Sequence, residues 1–153
     1  MDISRVGAGD VDVVLPLLRG YCDFYAVSPS DAALEALVGA LVADPVHEGV
    51  QLLARRGGRA VGFATVYWTW STLRACRIAV MNDLYVDPAA RLGGVGRALI
   101  ERCRHEAWAH GAVELVWQTA PDNETAQALY DAVGGRRSQW VDYSLPVTDA
   151  DGA

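Results

Sequence analysis

The sequence predicts a mixed α/β domain: a twisted, mostly antiparallel sheet of about six to seven strands with helices on both faces. Three observations predict it. The apolar pattern changes between a helical and an alternating period along the chain, and no linker, repeat or low-complexity segment divides it. The middle of the chain holds consecutive strands joined by tight turns, which pair antiparallel. The second half alternates strand, helix, strand, helix, strand, which requires a parallel pairing somewhere in the sheet. With 153 residues and 52% of them hydrophobic, the chain has enough apolar surface for one real core. Residues 1–147 are assigned to one domain and 148–153, TDADGA, to a polar tail.

The elements follow in order. Residues 2–10, DISRVGAGD, read as a short strand ending in a turn. Asp10 can cap a helix over 11–25, in which Pro16 must sit in the first turn or make a kink. A second helix starts at the cap Ser30, carries the stripe Leu34, Leu37, Val38, Leu41, Val42, and stops at Asp44-Pro45. The period then becomes two. Residues 49–70 read as two strands around Arg56-Gly57-Gly58-Arg59, a hairpin signal, and 75–88 as a long strand closed by Asp87-Pro88. A helix follows over 94–111, with Val95, Leu99, Cys103 and Ala107 on its inner face and Gly111 ending it. Residues 112–120 read as an apolar strand, 123–135 as a helix, and 139–147 as a last strand, whose outer edge is where a homodimer would form.

Composition excludes several functions. A net charge of −6 argues against a nucleic-acid surface and suits a cationic partner. His47, His105 and His110 form no ligand cluster, and Cys22, Cys76 and Cys103 lack metal or redox spacing, so no metal site is expected. An odd set of unpaired thiols, no signal-peptide pattern and no apolar run of membrane length give a cytoplasmic expectation, with no membrane partner.

The most specific stretch is Arg91-Leu92-Gly93-Gly94-Val95-Gly96-Arg97, between a strand and a helix. Unpaired amides at a helix N-terminus, backed by its dipole, hold phosphate without side chains, and glycines allow close approach. Arg91 and Arg97 can add charge. The same residues could also form a plain tight turn. A P-loop is excluded because no lysine follows, and a dinucleotide fingerprint because Leu99 stands at its third glycine.

These residues resemble the GNAT superfamily of acyl-CoA-dependent N-acyltransferases, whose phosphate loop reads [RQ]-x-x-G-x-[GA]. Residues 123–135, NETAQALYDAVGG, resemble that family's next motif, and the element order agrees along nearly the whole chain. The resemblance implies a GNAT-like fold and acetyl-CoA as co-substrate. Its pyrophosphate would lie on the amides of residues 91–97, with Leu84, Tyr85 and Val86 along the thioester and pantetheine arm. Family members use a bulged fourth strand to supply an oxyanion donor. By the same resemblance Tyr130 is the general acid toward the leaving thiolate. Asn123 is either a cofactor contact or a helix cap.

The base is less clear from the sequence. Diamine acetyltransferases, which this strand also resembles, carry Glu-Asp where this chain has Asn82-Asp83. Asn82 cannot take a proton, and on a plain strand Asp83 points to the opposite face. Asp83 is therefore read as base through water or as a supporting group, with solvent as the alternative. Tyr21, Phe24, Tyr25, Trp68 and Trp70 are candidates to face an ammonium group, or else core packing. Among these, Tyr21, Tyr25 and Trp68, with Asn82, are the acceptor-site candidates. The expected function is N-acetylation of a small primary amine such as a polyamine, amino acid or aminoglycoside, by direct attack in a ternary complex. Acetylation of a protein N-terminus or lysine, and a non-catalytic acyl-CoA-binding module, stand as alternatives.

Overall fold

Each strand but the last reaches its neighbour in the sheet through a tight or short antiparallel connection or through the α1–α2 pair. The computed structural model describes residues 1–147. β1 (Asp2–Arg5) forms one edge. It is followed by α1 (Val11–Phe24), α2 (Asp31–Ala43), β2 (Gly49–Arg56), β3 (Arg59–Ser71), β4 (Cys76–Val86), α3 (Val95–Ala109), β5 (Leu115–Val116) and α4 (Glu124–Ala132). The sheet order is β1-β2-β3-β4-β5, antiparallel throughout except for the parallel pair β4–β5.

The two faces of the sheet have separate cores. On one face, Val14, Leu17, Leu18, Leu34 and Val38 from α1 and α2 cover Leu53 and Phe63. On the other, Val95, Leu99, Cys103 and Ala107 of α3 cover Val50, Leu52, Ala64, Val66, Trp68 and Met81. Strand alternation makes this sorting, sending Phe63 and Thr65 toward α1 and α2 and Ala64 and Val66 toward α3. Ser30 caps α2, its Oγ accepting from the Ala33 amide at 3.2 Å. Pro16 is the sixth residue of α1, inside the helix rather than in its first turn.

The described residues form five strands, fewer than the sequence suggests. Of the apolar stretch 112–120, only Leu115–Val116 pairs with β4. Residues 139–147 pair with no strand, and Trp140, Tyr143 and Leu145 there are 81, 94 and 88% exposed. Alternation in sequence gives a strand only where a neighbour and a buried face exist, and this segment has neither. The tail 148–153 lies outside the described residues.

Candidate active site

The site begins where β4 and β5 part. The two strands are paired for Ala79 with Leu115 and Val80 with Val116 only. Just beyond, Thr65 of β3 lies opposite Asp83 and Val66 opposite Met81, so Asn82 is an extra residue in β4. Such a bulge shifts the hydrogen-bonding phase of the strand by one residue. Before it, the Arg77 carbonyl and the Ala79 amide face β5, bonded to Val113 N–H at 3.0 Å and Glu114 O at 2.9 Å. After it, the Asp87 amide turns the other way, to Val61 O at 3.0 Å. Alternation therefore leaves the main-chain groups of Leu84 and Val86 on the open edge and directs those of Tyr85 to β3. The Val86 carbonyl on that edge accepts from Arg91 Nε at 3.1 Å.

The slot leads to the glycine-rich loop. Leu92 and Gly94 both have left-handed φ, 60° and 77°, and the Leu92 side chain is fully exposed. Left-handed residues set between ordinary ones turn successive amides toward a common side, an anion-binding concavity. The first bond reaching back from α3 is Ala98 N–H to Gly94 O at 3.1 Å. Among the described residues, the amides of 92–97 have no hydrogen-bond acceptor. Arg97 donates to Ala132 O at 3.0 Å, and neither it nor Arg91 pairs with a described carboxylate. Free amides, two arginines outside any ion pair among the described residues and an extended slot fit a phosphate group followed by a linear arm.

At the inner end of the slot, polar groups from three elements converge on Asp83. Plain alternation separates Asn82 from Asp83, but the bulge brings Asn82 Nδ2 to 3.0 Å from Asp83 Oδ1. The hydroxyls of Thr65 and Tyr21 also donate to the Asp83 carboxylate. Thr65 in turn accepts from Gln51 Nε2 at 3.1 Å, while Gln51 Oε1 is buried without a partner. Burial raises the Asp83 pKa above the ordinary carboxylate value, outweighing the three hydrogen bonds. Burial and the Asp83 charge push the Tyr21 phenol well up. Burial does the same for Tyr67, helped by Asp83 and Glu48, and for Tyr130, helped by Tyr25. Tyr21 stands edge-on to Tyr25, with ring centroids 5.0 Å apart, and Tyr130 stands edge-on to Trp117 at 5.4 Å.

The structure thus brings together Tyr21, Tyr25, Asn82 and Asp83, while Tyr130 packs with Trp117 against the α3-side core, near enough for its charge to be felt by Tyr21. Three other candidates are placed elsewhere. Trp68 faces α3, where it is buried, stacks on His110 at 4.1 Å and donates from Nε1 to Pro45 O at 2.9 Å; it cannot meet an acceptor on the Asp83 face. Tyr85 turns its ring toward Tyr21 and Phe63 rather than into the slot. Asn123 is a helix cap, its Oδ1 accepting from the Ala126 amide at 3.2 Å. Thr65, Tyr67 and Gln51 were not legible as site residues. Thr65 and Tyr67 share the strand period of Phe63, and Gln51 is the partner of Thr65 on β2, but period alone does not reveal which face carries the chemistry.

A sequence profile of the acetyltransferase (GNAT) family matches residues 18–134, which includes the bulged strand, the loop and Tyr130. The chain belongs to that family. It is an acetyl-transferring enzyme with acetyl-CoA as co-substrate. The acetyltransferase is 34% identical over 148 residues to the uncharacterized N-acetyltransferase YhfO of Bacillus subtilis (strain 168), covering 96% of this chain and 98% of that one. It is 40% identical over 76 residues to the D-amino-acid N-acetyltransferase HPA3 of Saccharomyces cerevisiae (strain ATCC 204508 / S288c), about half of each chain. A crystal structure of a probable acetyltransferase superposes with a TM-score of 0.85 at 28% identity, covering 97% of this chain and 99% of that one. No helix among the described residues is long and apolar enough to cross a membrane.

Proposed function

We propose that the acetyltransferase moves an acetyl group from acetyl-CoA to the primary amine of a small, cationic molecule, by direct attack within a ternary complex. The convergence of Asp83, Tyr21 and Tyr25 where β4 and β5 part, with Tyr130 near enough for its charge to be felt by Tyr21, carries this reading. A carboxylate beside the Tyr21 phenol, with the Tyr25 ring edge-on behind it, suits an ammonium group. The partial relative HPA3, named for amino-acid acceptors, supports a small amine over a protein.

Asp83 accepts a proton from the ammonium group, directly or through water. Its raised pKa makes it a better base than a free aspartate. The amine nitrogen then bonds to the thioester carbonyl carbon. Main-chain N–H groups beside the bulge stabilise the oxygen as it gains negative charge. When the carbon–sulfur bond breaks, Tyr130 gives its proton to the departing sulfur. Burial keeps that phenol protonated at neutral pH. The bonded nitrogen loses its second proton as the amide forms, which replaces the one Tyr130 gives to the sulfur, and the proton taken by Asp83 passes to solvent as the net proton released. We place the reaction in the cytosol, where free Cys22, Cys76 and Cys103 would stay reduced.

The test incubates the enzyme with acetyl-CoA and pools of polyamines, diamines, amino acids, aminoglycosides and short peptides, and identifies products by mass spectrometry. A small acetylated amine is expected, with Tyr130→Phe slower by about 10- to 100-fold in kcat and unchanged in CoA affinity. Peptides as sole products, or full activity in Tyr130→Phe, would overturn the substrate class or the acid role respectively.

A further inference from the structure

Nine of the 13 arginines of this acidic chain are paired with a carboxylate, and three of the other four gather in one place. Arg5, Arg19, Arg55, Arg59, Arg74, Arg102, Arg104, Arg136 and Arg137 form ion pairs with Asp or Glu. Among the described residues, Arg56, Arg77, Arg91 and Arg97 do not. Arg77 lies over the Trp70 ring, 4.4 Å from its centroid. The other three each donate to a main-chain carbonyl at or beside the glycine-rich loop: Arg91 to Val86, Arg97 to Ala132, and Arg56 to Gly93 at 2.7 Å.

Arg56 is the last residue of β2, at the hairpin turn into β3 and far in sequence from the loop. Its guanidinium lies flat against Gly93: a methyl group on that residue would sit 2.6 Å from Nη1, 2.7 Å from Nη2 and 3.1 Å from Cζ. One amine bond to a carbonyl uses little of a guanidinium's donor set, which has five N–H groups. The remaining donors and the whole charge stay at the loop whose amides have no acceptor. A solvent-exposed cation held by a neutral carbonyl, with no carboxylate to compensate it, is arranged for an anion that arrives with a ligand.

We propose that Arg56 is a third cationic ligand for the phosphate groups of acetyl-CoA, joining Arg91 and Arg97. The hairpin thereby takes part in donor binding: Arg56 fixes Gly93 in position and presents its charge to a phosphate. The shared chemistry is a phosphate oxygen. Its source is either the diphosphate or the phosphate on the ribose, which dephospho-CoA lacks.

The test is equilibrium binding of CoA, dephospho-CoA and phosphate-free pantetheine to wild type, Arg56→Gln and Arg56→Lys, at low and high salt. It needs no acceptor, so it reads independently of the proposed amine chemistry. Melting temperature without ligand serves as the folding control. Arg56→Gln is expected to weaken CoA binding about tenfold at low salt, to flatten its salt dependence, and to leave pantetheine unchanged. Arg56→Lys should recover most of the loss and the salt dependence. Loss for CoA alone would assign the ribose phosphate; equal loss for CoA and dephospho-CoA would assign the diphosphate. Wild-type CoA affinity in Arg56→Gln would overturn the proposal. So would a loss equal in both variants with an unaltered salt dependence, which would leave Arg56 as a structural latch on Gly93.

Discussion

Asp83 is held in an unfavourable state, and that is the basis of its use. Its carboxylate receives hydrogen bonds from Thr65, Tyr21 and Asn82, yet burial still raises its pKa. A carboxyl group whose folded pKa lies above its unfolded value binds its proton more tightly in the native state. Lowering the pH therefore stabilises the native fold through this group, and ionisation at neutral pH works against it. Asp83→Asn removes the charge while keeping the shape. Its melting temperature at pH 8 should rise above that of wild type, while kcat/KM for the amine falls about 100-fold or more. The wild-type rate should climb with pH through a value above the ordinary aspartate range, and the variant should lack that limb. A variant that is both less stable and fully active would remove Asp83 from the chemistry. A different outcome is expected at Cys103. Burial pushes its thiol up to about 12, so it stays protonated and should resist alkylation in the native enzyme.

At the scale of the element, one extra residue in β4 decides what the strand can do. Asn82 shifts the phase of the strand, so Leu84 and Val86 rather than Tyr85 offer their main chain to the slot. Deleting Asn82 restores plain alternation and turns those groups toward β3. The deleted variant is expected to fold, with Phe63 and Leu53 still buried, but CoA should no longer raise its melting temperature. An undiminished CoA shift would show that the phase of β4 is irrelevant to donor binding. The same bulge explains what the sequence could not reveal. The order of helices and strands, the α2 cap at Ser30, the hairpin at 56–59 and the loop at 91–97 were legible, because each rests on local chemistry. The convergence of Asn82 and Asp83 was not, because strand alternation assumes no bulge and predicts them apart. Trp68 was misplaced for a related reason: period two sorts β3 into two faces without saying which faces α3. Arg56 was read only as part of a turn, since its contact with Gly93 joins residues 37 positions apart.

For the molecule as a whole, the first strand and the third helix are joined by one buried carboxylate. Glu106 of α3 has a side chain only 3% exposed. Arg5 of β1 donates to its Oε2 at 2.5 and 3.0 Å, and Arg102 reaches Oε1 at 2.7 and 2.8 Å. Burial works to raise the Glu106 pKa, but hydrogen bonds from Arg5 and Arg102 hold it below the ordinary glutamate value. The sign is opposite to that of Asp83. A folded pKa below the unfolded one gives stability that is present above the unfolded value, near pH 4.3, and is lost as pH falls through the folded one. Because β1 pairs only with β2, this link, together with Ile3 packed on the α3-side core, fastens that sheet edge to the helix behind the phosphate loop. Glu106→Gln keeps the shape and loses the charge, and should lower stability at pH 7 by about 1–3 kcal/mol, since hydrogen bonds to charged groups contribute in that range. The difference between the variant and wild type should shrink as the pH is taken from 5 toward 3, where wild type loses the same charge. Denaturant titration at each pH measures it, and a difference that stays constant across that range would mean the Glu106 charge does not fasten the edge.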